Sequence, residues 1–332
     1  MPYRVAEIVI PKQKKEEVEK LFNIDGVVDF WREELFENKS IYKVLVKTEF
    51  SQKLVDKLFK KFGKEEGFRI VLYDITATIP VSEEEEKKKK QSKIGKLRIS
   101  REELYTNISS AAELNYIYLS LVILSSIIAV TGLITNNTAV IIGAMVIAPL
   151  LGPNIAIALA TVLGDIELER KAFFTFLVGA VIAYIFAVSV GFIFPVDPFV
   201  NEINRRIYVS FWDIVVAMAS GIAGVLAFTT GAALSLVGVM VAISLLPPLV
   251  TSGLLLGSGY LFYALGSMLL FLANFASLNL AGVLTFTLQG IRPMKWWEAK
   301  KAQSYRRKAM FLWTVLLVIL AFVIFVENKY LK

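Results

Sequence analysis

Apolar and polar positions keep one rhythm over the first 80 residues and another beyond residue 114. Alternation over Tyr3–Ile10 predicts a strand that Pro11 ends, and Val18, Leu21 and Phe22 follow at helical spacing. Gly26–Leu35 and Ile41–Phe50 read as two further strands, the second placing Tyr42, Val44 and Val46 on one face. Leu54, Leu58 and Phe62 form a helical stripe, and Phe68–Ile79 alternates again as a last strand. Leu97–Tyr116 carries Leu97, Leu104, Ile108 and Ala111 among charged neighbours, which suits a helix lying on a membrane surface. Tyr105, Tyr116 and Tyr118 suit its headgroup layer. Beyond it come seven apolar segments, 115–134, 138–163, 172–194, 211–229, 233–256, 261–288 and 309–326. A bilayer is spanned by roughly 20 such residues.

The order βαββαβ over residues 1–80 is the ferredoxin-like arrangement, so the expected fold class is an α+β soluble head joined to an all-α polytopic membrane domain. Residues 81–114 form the charged linker and interfacial helix, and 115–332 the transmembrane domain. Charge sharpens that division. The chain has 332 residues, 56% hydrophobic and 20% charged, and residues 1–100 hold 40 of its 65 charged groups. Residues 114–164, 172–196, 214–291 and 309–326 carry none. Glu83–Glu86 precede Lys87–Lys90, as a charged helix or a solvated linker would have them. Lys93, Lys96, Arg98 and Arg101 suit anionic lipid headgroups, whereas the neighbouring Glu residues argue against nucleic acid. There is no Cys and no His, which removes disulfides, thiol nucleophiles, imidazole metal sites and the Ser-His-Asp triad. No Walker A or dinucleotide pattern occurs, so no catalytic residue, metal or cofactor is expected and the chain does not read as an enzyme.

The membrane part repeats itself. A shift of 95 residues places Thr135 on Thr230, Gly143 on Gly238, Met145-Val146 on Met240-Val241 and Leu150-Leu151 on Leu245-Leu246. Pro153 then falls on Pro248, Leu159 on Leu254 and Gly164 on Gly259, which predicts a duplicated three-helix unit, 115–194 and 210–289, followed by a final helix. Three true crossings per unit would invert the second copy, whereas re-entrant second and fifth segments would leave the copies parallel. Basic residues before the first segment and after the sixth put both regions in the cytoplasm under either count. The head is then cytoplasmic and the C-terminus outside a plasma membrane.

Two segments carry helix-breaking residues at matching places. One contains Pro149, Gly152, Pro153 and Asn154; its counterpart contains Ser244, Pro247, Pro248, Thr251 and Ser252. Proline lacks an N–H and displaces the carbonyl four residues earlier, so Pro149 and Pro247 should free those of Met145 and Ile243. Paired breaks in equivalent halves point to a transporter's binding site, where freed carbonyls hold a cation or half-helix N-termini an anion. The plainer alternative is kinked helices, with Gly143, Gly253 and Gly257 permitting close packing. Asn274, Asn279, Asp165 and Asp213 are secondary candidates, the amides for interhelical bonding and the carboxylates at segment ends.

The stretch Thr135–Pro153, TNNTAVIIGAMVIAPLLGP, resembles a prokaryotic membrane-protein family catalogued as domain of unknown function number three hundred and eighty-nine. Arg101-Glu102-Glu103-Leu104, Gly164-Asp165 and the head's Gly26–Arg32 are similar as well, while Asn154 stands where that family is expected to have an apolar residue. The resemblance implies a soluble head on a multi-span domain and no particular activity. The residues themselves suggest a homo-oligomeric transporter or channel for a small solute or ion, in contact with the lipid bilayer. The alternative is a non-transporting scaffold or sensor whose head binds a ligand or partner.

Overall fold

The computed structural model describes residues 3–11, 14–23, 26–34, 39–75, 101–230, 234–292, 304–305 and 307–318. The expectations for 81–100, 76–79 and 319–326, and for the Ser244 side chain, lie outside the described residues. The chain divides into two compact units, Met1–Glu103 with Thr229–Gly231, and Leu104–Phe228 with Ala232–Lys332.

In the first unit the order is β1 (Tyr3–Pro11), α1 (Lys15–Glu19), β2 (Val27–Glu34), β3 (Lys39–Lys47), α2 (Thr48–Phe62) and β4 (Arg69–Asp74). The strands form one antiparallel sheet in the order β2-β3-β1-β4. Period-two patterning turns Ala6, Ile8, Ile10, Tyr42, Val44 and Val46 to one face, where Val18, Phe22, Leu54, Leu58 and Phe62 complete the core. Each large apolar side chain so buried contributes about 1.5–3 kcal/mol. Two boundaries differ from the sequence pattern. β3 stops at Lys47, and Thr48–Phe50 form the first turn of α2 instead of ending a strand. Gly26 is a left-handed turn residue (φ 100°) rather than the first of β2; the Phe50 ring occupies the space a Cβ would need, and Lys47 N–H donates to Gly26 O at 2.8 Å.

Helix α3 (Arg101–Ala111) begins in the first unit, where Arg101 N–H donates to Gln52 Oε1 (2.9 Å), its guanidinium meets Asp56 (3.1 Å), and Arg4 meets Glu103 (2.7 Å). The second unit holds α4 (Tyr116–Ile134), α5 (Thr138–Ile147), α6 (Leu151–Leu163), α7 (Ile166–Ile193), α8 (Asn201–Asn204), α9 (Phe211–Thr230), α10 (Leu234–Gly257) and α11 (Leu261–Leu288). Four of these, α4, α7, α9 and α11, are long and apolar enough to cross a membrane, and α5 with α6 makes a bent pair that passes the same test together. The chain therefore fits a membrane protein. Tyr118 is buried in the bundle, and its hydroxyl donates to Thr175 O at 3.1 Å.

Side-chain oxygens start these helices. Asn115, Asn137 and Asp165 accept from backbone N–H groups in the first turns of α4, α5 and α7. Left-handed glycines stop them, Gly164 (φ 70°) after α6 and Gly259 (φ 87°) after α10. The bonds around those stops match. Asp165 N–H donates to Ala160 O at 3.0 Å and Tyr260 N–H to Leu255 O at 2.9 Å. Both α7 and α11 have 28 residues, and their first residues, Ile166 and Leu261, lie 95 apart.

Hydrogen bonds also fix which ends lie together. Tyr105 donates to Asp165 (2.9 Å) and Lys171 to Glu113 (3.0 Å), so α7 starts beside the residues that precede α4. Thr138 donates to the Glu202 carboxylate (2.7 Å) and Glu202 N–H to Asn136 (3.0 Å), so α4 ends beside the segment that follows α7. The α5–α6 pair thus leads from the Glu202 end back to the Asp165 end, along the length of α4, about 28 Å for its 19 residues. α10 finishes at the other end: Ser258 donates to Gly191 O (3.2 Å) and accepts from Val196 N–H (3.0 Å). Along the α7–α10 seam, a Cβ at Gly191 would strike the Leu254 backbone and one at Gly257 the Val188 carbonyl.

Candidate functional site

The second apolar segment bends by 54° between α5 and α6. Ala148 N–H still donates to Ala144 O at 3.1 Å, but Ala148 itself is extended (ψ 120°), as a residue before proline is pushed to be. Pro149 has no N–H to continue the ladder. Helix α6 restarts at Leu151 with Pro153 as its third residue, where a missing N–H costs nothing because first-turn donors have no helical partner.

Asn154 follows at once and is fully buried. Asn279 of α11, also fully buried, donates its Nδ2 to Asn154 Oδ1 at 2.6 Å and to Phe275 O at 2.9 Å. Asn154 Nδ2 and Asn279 Oδ1 have no hydrogen-bond partner. A donor and an acceptor are therefore held ready in an apolar interior, where an unsatisfied polar group is costly. Asn279, a secondary candidate from sequence, is the partner of the primary one.

The counterpart segment behaves differently. α10 runs as one helix through Pro247 and Pro248, so among the described residues there is one break where two were expected. At the offset of 95, Pro149 corresponds to Ser244, which keeps the N–H that Pro149 lacks. Thr251 and Ser252 are buried on α10. Ser252 donates to Ala264 O at 2.7 Å, which fastens α10 to the first turn of α11, and Thr251 Oγ1 has no partner. Ala264 lies 15 residues from Asn279, about 22 Å along α11, so the structure does not bring Thr251 and Ser252 to the amide pair.

The remaining candidates have visible structural duties. Gly152 lets the carbonyl of Ala111, at the end of α3, approach to where a Cβ would be. Asp165 caps α7 through Leu168 N–H (3.0 Å) and accepts from Tyr105, whose phenol is pushed up to about 12 by burial and that bond. Asp213 accepts from Ser210 N–H at 2.7 Å ahead of α9, and Asn274 is buried on α11. Among the described residues, no three carboxylates gather that could hold a metal ion.

Sequence reasoning passed over Glu202. It is 5% exposed, bonds Thr138 and sits 2.8 Å from Arg206. Burial pushes its carboxyl up, yet the Thr138 hydroxyl and the Arg206 guanidinium together hold it below the ordinary value. The i,i+4 spacing of Glu202 and Arg206 was the available signal.

The family model described as "Domain of unknown function (DUF389)" matches residues 145–280. The uncharacterized protein MJ0678 of Methanocaldococcus jannaschii is 35% identical over 319 residues, covering 96% of this chain and 97% of the relative. No solved structure matches the chain.

Proposed function

The chain belongs to the family described as Domain of unknown function (DUF389), and from that premise we propose that it moves a small solute or ion across a membrane beside the α5–α6 elbow. One observation carries the reading: the bent span meets a buried amide pair with an unmatched donor and acceptor, in helices otherwise free of charge. Irregular backbone and unpaired polarity at membrane depth belong where protein or a wet path covers them.

The membrane unit is a duplicated three-helix unit with its second copy inverted. Support comes from the 95-residue offset of matching helices and stops, and from α6 and α10 finishing at opposite ends. The head is ferredoxin-like, which its element order and the strand order β2-β3-β1-β4 favour. It lies in the cytoplasm, and the protein works as a homo-oligomer in the plasma membrane. Basic residues Arg292, Lys295, Lys300 and Lys301 after the sixth segment support that orientation.

Flux of Na⁺, K⁺, protons and amino acids into liposomes holding the full chain tests the proposal. Flux above empty vesicles that falls in Asn154→Ala and Pro149→Ala supports it, and no flux for any solute overturns it. A scaffold is favoured by one observation, the closed packing around Asn154, Asn279 and Thr251, all fully or almost fully buried. Vesicles that never conduct would leave that reading standing.

A further inference from the structure

Among the described residues, the helices of the first unit cover one face of its sheet. On the opposite face three rows run through all four strands, and β1 and β3 extend beyond them with Tyr3 beside Lys47 and Pro11 beside Lys39. Asp29, Leu45, Val5 and Tyr73 form one row across β2, β3, β1 and β4. Trp31, Lys43, Glu7 and Val71 form the next, and Glu33, Ile41, Val9 and Arg69 the third. Trp31 is 43% and Tyr73 48% exposed, large aromatic areas left to water at the two edges of the sheet.

We propose that this open sheet face docks on the same face of a second copy of the chain, about a two-fold axis parallel to the strands between β1 and β3. The charge pattern selects both the partner and the axis. That rotation lays β2 over β4 and β3 over β1 with the rows in register. Glu33 and Lys43, which bond each other at 2.7 Å within one sheet, then face Arg69 and Glu7 of the second copy, Asp29 faces the Tyr73 hydroxyl, and Leu45, Ile41 and Trp31 face Val5, Val9 and Val71. Within the three rows each charge meets its opposite or a donor and each apolar group an apolar one, while beyond them Lys47 lies over Tyr3 and Lys39 over Pro11. An axis perpendicular to the strands would instead oppose Lys43 to Lys43, Glu7 to Glu7 and Asp29 to Glu33. Like charges in contact reject that arrangement. The interface is isologous, so every pair is made twice.

Four strands about 4.8 Å apart and three rows make a small patch. Two such faces bury on the order of 800 Å², less than a free complex of standard size. Pairing therefore draws on the high local concentration of heads joined to membrane domains, and its test uses the full chain in a bilayer.

The chain has no cysteine, so introduced thiols report without background. Asp29→Cys with Tyr73→Cys places thiols at opposite edges of one sheet, three strand spacings or about 14 Å apart, and across the axis from one another. A short bifunctional thiol reagent should join two chains on the order of tenfold more than in either single-cysteine variant. In that background Glu33→Arg alone and Arg69→Glu alone should each lose the cross-link. Mixing the two, on chains of different tagged length, should restore a mixed cross-linked dimer, because both corner pairs regain opposite charges. Cross-linking no greater than in the single-cysteine variants overturns the proposal, as does a mixture that cross-links no better than its components.

Discussion

Replacing Asn279 by Leu removes the amide that serves Asn154 while keeping its branching and number of heavy atoms. Asn154 is fully buried and, among the described residues, its side chain bonds through the 2.6 Å contact alone, so the substitution strands a whole amide in an apolar interior. Leaving a buried polar group unmatched costs about 1–3 kcal/mol, whereas hydrogen bonds between membrane helices have averaged about 0.6 kcal/mol. The expected loss therefore lies at about 1–2 kcal/mol. Asn154→Leu should cost less, because Asn279 keeps its bond to Phe275 O at 2.9 Å. The double variant should recover most of the loss, since replacing both partners by apolar groups is nearly neutral. Unfolding in mixed detergent micelles, read as a double-mutant cycle, gives the coupling directly. Additive single losses, or Asn154→Leu costing more than Asn279→Leu, would refute the reasoning. Flux on the same variants separates glue from pathway: a double variant that is stable yet silent assigns the pair to transport, and one that conducts normally assigns it to packing.

Along the α7–α10 seam, Gly191→Ala forces a methyl against the Leu254 carbonyl and should cost about 1–3 kcal/mol in the same unfolding assay. Gly143→Ala meets open space and should be neutral or up to about 1 kcal/mol stabilising, so equal effects would contradict the close approach. Glu202 is held below its ordinary value of 4.5, so its contribution is complete above that pH and is lost as pH falls through its lowered native value. The stability gap between the natural chain and Glu202→Gln should narrow on acidification below about pH 4.5, and a gap that widens would exclude the assignment. Tyr105 is raised to about 12, so its bond to Asp165 should survive beyond pH 10, and the advantage over Tyr105→Phe should vanish as pH rises from 10 to 12, followed by phenolate absorbance.

What sequence could disclose depended on how far apart the cooperating residues lie. The 95-residue repetition was readable because glycine stops such as Gly164 and Gly259 are local backbone requirements. The elbow at Pro149 was readable for the same reason. The unbroken course of α10 needed the added step of asking what stands opposite Pro149, namely Ser244 with its N–H intact. Asn154 and Asn279 lie 125 residues apart, and nothing local in either segment specifies their meeting. Glu202 was hidden likewise: two of its partners, Asn136 and Thr138, come from the far side of α7, and only Arg206 is near in sequence. Phe50 falls on the period-two register of Tyr42, Val44 and Val46, and its burial against the core was satisfied just as well from a helix.

The backbone-to-backbone seam of α7 with α10 bears on how such a molecule would work as a machine. Helices that touch through glycine can neither slide nor part without opening voids, so these two form a chassis. The link between α5 and α6, by contrast, is extended at Ala148 and has at Pro149 no N–H to continue the helical ladder across the bend. On the proposed transport reading, the stroke would fall to α5 turning on α6 over that frame, with the amide pair near the pivot rather than at the tip.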